Sequence, residues 1–143
     1  MSDIKKLHTT NYFNTFIEVA EDTRALSGTR PPSKGGKETV AGIQYELIAG
    51  NPYLYTSDDI LFEAYARRND LTEDEYPKSR EEFFSKGQPC LRASPLTKAY
   101  GFGIHCDADG KVALYGMETK PYQSLLNDPE LRKVKAMRTS KKQ

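Results

Sequence analysis

Three residues able to do chemistry fall close together in the stretch "PCLRASPLTKAYGFGIHCDADGKVALYGME": Cys90, Arg92 and His105. Cysteine attacks as its thiolate, and a neighbouring cation such as Arg92 favours that form where both lie in one extended segment. Arg92 is equally suited to grip a carboxylate through two parallel N–H donors. His105 is the natural general base. One reading is therefore a small enzyme using Cys90 or His105, with Arg92 as anion clamp. Adjacent strand residues point to opposite faces, so His105 and its neighbour Cys106 make no base–nucleophile pair. Asp107 shares the face of His105, yet a carboxylate that opens a hairpin turn ordinarily serves the turn's own amides.

Positioning these groups falls to a hairpin at about 99–118, for "DADG" stands between two alternating apolar runs and Gly110 supplies the positive φ of a tight turn. Pairing Asp107 with Lys111 sets Cys106 against Val112, Ile104 against Leu114 and Phe102 against Gly116, a core-facing side. The opposite side carries Gly101, Gly103 and His105 with Ala113, Tyr115 and Met117. Two glycines on one strand face imply that another surface comes close. That surface is either the protein itself, a packed helix or an aromatic ring, or a flat ligand walled by Tyr115 and Met117 with His105 and Arg92 as polar contacts.

Around the hairpin, "YFNTFIEVA" (12–20) reads as a half-buried strand, with Thr15, Ile17 and Val19 alternating against Phe16 and Glu18. Residues 21–38 are proline- and glycine-rich and predict a long flexible loop. Thr39 caps a helix whose inner face is Val40, Ile43, Leu47 and Ile48, stopped by Gly50 and Pro52. A second helix begins at Thr56 or Ser57, with Ile60, Leu61, Ala64 and Tyr65 turned inward. "NDLTEDEYPK" is a polar connector, Ser79 and Glu82 form a capping box for a short helix, and "QPCLRASPL" is extended and irregular. "KPYQSLLNDPE" gives a short helix, "LRKVKAMR" a last strand, and 139–143 a frayed basic tail.

Residues 1–143 thus form a single α+β domain: an antiparallel sheet with helices packed on one face. The 143 residues carry 21 Lys and Arg against 20 Asp and Glu, a net charge of +1, which gives no footprint for nucleic acid. Neither a secretory signal nor an apolar run of about 18 residues is present, so no membrane span and a cytoplasmic location are expected, with both thiols reduced. "PPSKGGKET" fails the phosphate-loop pattern because Pro31 stands where its first glycine belongs. An anion at the Thr39 helix, helped by Lys34 and Lys37, remains chemically sensible. The histidines, cysteines and carboxylates show no ligand spacing, so no metal and no cofactor is expected. Acidic residues gather between Ser57 and Glu82 and basic ones after Glu130, a polarity able to steer a protein partner or a second copy of the chain into a homodimer or larger assembly.

"HTTNYFNTFIEVAEDT", "TVAGIQYELIAGNPYLYTSDDILFEAYARR", "KGQPCLRASPLTKAYGFGIHCDADGKVALYGME" and "KVKAMR" together resemble a family of small bacterial proteins known as domain of unknown function 6157. The resemblance spans nearly the whole chain. It implies a single-domain bacterial protein and assigns no activity, substrate or catalytic residue. The residues therefore favour a non-catalytic cytosolic domain that binds a small molecule or protein partner. Its candidate ligand-binding residues are Cys90, Arg92, Gly101, Gly103, His105 and Tyr115, with the enzyme as alternative.

Overall fold

The computed structural model describes residues 6–33, 35–36 and 38–139. Among these residues the α-helices and strands follow in chain order as β1 (Thr15–Glu18), α1 (Val40–Ala49), α2 (Ser57–Arg68), α3 (Tyr76–Phe83), α4 (Pro95–Lys98), β2 (Phe102–Cys106), β3 (Val112–Gly116), α5 (Lys120–Leu126) and β4 (Arg132–Lys135). The strands form one sheet in the order β3-β2-β1-β4. The α+β class holds, and the sheet is mostly antiparallel: β4 alone runs parallel to its neighbour, β1.

The hairpin has the expected register, with Cys106 opposite Val112, Ile104 opposite Leu114 and Phe102 opposite Gly116. Its turn closes through Asp107 N to Lys111 O (2.9 Å) and Gly110 N to Asp107 O (3.0 Å), with Gly110 at φ +79°. Ile17, Ile104, Cys106 and Val112 face α1 and α2 and pack with Ile43, Leu47, Ile48, Ile60, Leu91 and Leu96. β1 is shorter than expected and buried on both faces rather than one, because it is flanked by β2 and β4 and because α5 sets Tyr122 over Phe16 on the second face. Helices therefore do not all lie on one side.

Thr39 Oγ1 accepts from Gly42 N (3.0 Å) and starts α1; Thr56 and Asp59 cap α2 reciprocally. Val40 and Tyr65, expected inside, are exposed; Ala41, Gln44, Phe62 and Ala66 hold the inward positions instead. The helix expected from Ser79 begins at Tyr76, where Pro77 stands in the first turn and Ser79 falls in the interior. Glu75 Oε1, three residues on from Thr72, accepts from its N and Oγ1 (3.0 Å each) at the preceding turn. "QPCLRASPL" is not extended: it makes a 3-10 turn, Leu91–Ala93, and then α4, where Ser94 Oγ accepts from Leu96 N and Pro95 occupies a first position that has no N–H to lose.

Among the described residues, 21–38 contain no helix or strand, yet the segment is tied down by Thr29 N to Tyr100 O and Gly28 N to Glu118 Oε1, 2.9 Å each. Lys34 and Lys37 lie outside the described residues, as do 140–143 of the tail; Thr139 bonds to Asp22. No helix is long and apolar enough to cross a membrane among the described residues.

Candidate functional site

On the second face of the sheet the protein fills the space its glycines leave. A Cβ on Gly103 would meet the rings of Phe16 and Tyr122 at 2.6 Å, and one on Gly101 would collide with Ser27 O. Gly101 also sits at φ +79°. An aromatic pair and the 21–38 segment come close there. His105 and Tyr115 share this face and are joined by a residue from another segment: the Tyr53 hydroxyl lies 2.8 Å from His105 Nδ1 and 2.6 Å from Tyr115 OH. Burial lowers the His105 pKa, against the opposing charges of Asp107 and Asp128, and so favours neutral imidazole. Burial and then the Tyr115 hydroxyl raise that of Tyr53, which is no phenolate base. One pattern satisfies all three groups: Tyr115 donates to Tyr53 and Tyr53 donates to Nδ1. Asp107 does not orient His105, for its Oδ1 accepts from Asp109 N and Lys111 N (2.9 Å each).

Cys90 and Arg92 lie on the helical side. The Tyr12 hydroxyl stands 3.5 Å from Cys90 Sγ and also meets Arg92, whose Nε donates to Lys135 O at 2.7 Å. Burial is the main reason the Tyr12 hydroxyl is held above its ordinary pKa, with Cys90 adding and Arg92 opposing. The sheet separates Cys90 from His105, so these two form no nucleophile–base pair. Cys106 is fully buried, and burial pushes its thiol up to about 12.

The six residues expected to share one site thus divide between two sides, and Cys90 lines a substantial hollow. A cavity of about 410 Å³ lies between α1, α2 and the 88–95 segment, within the size range of small-molecule sites. Its walls include Val40, Leu61, Ala64, Phe83, Pro89 and Pro95, with Cys90 among the lining residues. Gln44, only 3% exposed, supplies the deep polar group. Ser94 Oγ accepts from Leu96 N at 3.1 Å and therefore gives its proton to Gln44 Oε1 at 2.6 Å. The remaining Nε2 has no protein partner among the described residues and is not sealed in, so its N–H groups face the cavity. Arg68 lines the exposed mouth.

Gln44 and Arg68 escaped the reading of the sequence. The signal for Gln44 was present, an amide between Ala41 and Ile48 on the apolar stripe of α1. A second cleft, about 690 Å³, surrounds the Thr39 cap; among the described residues Glu38 and Glu46 line it and pair with Arg67 and Arg30. Among the described residues no group of three or more His, Cys, Asp and Glu could hold a metal.

No curated protein and no solved structure matches the chain. The model of one family does match, over residues 7–142, and the chain belongs to it: the family of unknown function DUF6157.

Proposed function

We propose that this is a non-catalytic binding domain of the bacterial cytosol, and that it holds a small, largely apolar molecule in the cavity beside Cys90. The observation that carries the reading is Gln44: an amide only 3% exposed in a largely apolar wall, whose Oε1 is held by Ser94 and whose two Nε2 donors have no protein acceptor among the described residues, is placed to donate to a ligand oxygen. The hairpin face, where Gly101, Gly103 and His105 meet other parts of the same chain, supports binding less well than the cavity.

Cys90 reports occupancy. Iodoacetamide labelling of the intact protein, followed by mass spectrometry, is measured with increasing octan-1-ol. Protection of Cys90 that weakens in Gln44→Met supports the reading. Labelling unaffected by the alcohol up to its solubility limit overturns it.

A further inference from the structure

The charges around the cavity are one-sided. Among the described residues no aspartate or glutamate lines it, and Arg68 is the one Lys or Arg that does. The adjacent Arg67, one residue earlier on α2, is engaged by Glu63 at 3.4 Å and Glu38 at 4.0 Å. Arg68 makes no ion pair among the described residues. Arg68, whose guanidinium has five N–H donors, therefore lines an apolar hollow with no ion-pair partner among the described residues.

We propose that the ligand of this cavity is a small apolar acid, its body against Leu61, Ala64, Phe83 and Pro95 and its carboxylate on Arg68. This rests on the cavity reading above. Arginine suits a carboxylate because its planar fork matches two oxygens at once, and the low-dielectric wall behind it strengthens the pairing. A cationic ligand meets repulsion at the mouth and no acceptor charge inside. A neutral alcohol gains the apolar contacts and the Gln44 amide but leaves Arg68 unused.

Octanoate and octan-1-ol share one chain length and differ in charge, which makes them the probes. Their affinities for the full chain are measured at neutral pH by protection of Cys90 and by ligand-observed NMR, at low and high salt, in the native protein and in Arg68→Gln. Arg68 is exposed, so the variant is expected to fold, and thermal melting checks that it does. Octanoate is expected to bind about tenfold or more tighter than the alcohol, to lose that advantage in Arg68→Gln, and to weaken with salt while the alcohol does not. If both probes bind equally and the variant changes neither, the acid is the wrong class and the cavity reading stands. If neither binds, both readings fall.

Discussion

Gly103 lies directly beneath the ring of Tyr122, so close that a methyl group in place of its hydrogen would stand 2.6 Å from Cε2. Phe16 closes the same space from the neighbouring strand and meets Tyr122 edge-on at 4.9 Å between centroids. Neither ring can retreat, since Phe16 is fully buried and the Tyr122 hydroxyl accepts from Val19 N at 3.1 Å.

Gly103→Ala is accordingly expected to destabilise the fold by about 1–3 kcal/mol, the usual cost of overpacking a closed core. The measurement is the urea midpoint of unfolding. A midpoint equal to that of the native protein would mean that the rings yield freely.

The two thiols should differ sharply in reactivity for reasons of access rather than catalysis. Cys90 opens to the cavity, whereas Cys106 has no exposure and a thiol pushed up to about 12. Cys90 should react with iodoacetamide in the folded protein, and Cys106 only once denaturant is added. Simultaneous labelling in buffer would show that the β2–β3 core opens.

His105 makes stability depend on pH. Burial depresses its pKa in the fold below the ordinary 6.5, so the unfolded chain takes up a proton more readily. Its contribution is fully present above 6.5 and is lost as pH falls through the folded value. His105→Gln should flatten the stability profile below pH 6.5, followed by thermal melting at stepped pH. An unchanged slope there would assign acid sensitivity to other groups.

Arg80 fastens α3 to α2. It donates to Asp59 Oδ1 at 2.9 Å and places its guanidinium over Phe62 and Phe84, at 5.7 and 5.5 Å from the centroids. Arg80→Met should cost about 1–2 kcal/mol at neutral pH, a surface ion pair and cation–π contact together. Burial alone would raise the Asp59 pKa, but the Thr56 amide and Arg80 outweigh it and hold it below 3.8. The ion-pair share is therefore present above 3.8 and disappears as pH falls below it. The difference between variant and native melting curves should shrink in acid.

Which features were legible in the sequence follows from the range over which each is decided. The hairpin register rests on a turn and an alternation, both local, and Asp107 serves the turn amides as its type suggests. α3 was misplaced because Thr72–Glu75 and Ser79–Glu82 repeat one capping pattern, and Pro77 together with the Arg80–Asp59 contact decides between them. The direction of β4 depends on where α5 carries the chain, which no local pattern encodes. The site was harder still. Arg92 and Arg68 are equal candidates as residues; only the fold spends the first on Lys135 O and Tyr12 and sets the second beside a cavity with no ion-pair partner among the described residues.

The sheet order carries a consequence for how the chain is made. β1 precedes both of its partners, β2 and β4, in the chain, with Thr15 set against both Cys106 and Arg132. On the ribosome, Phe16 and Ile17 emerge as an apolar strand with both edges bare and must wait until β2 is made before either is covered. Such long-range pairing slows folding and lengthens the interval in which a nascent strand can be captured by chaperones or by its own kind.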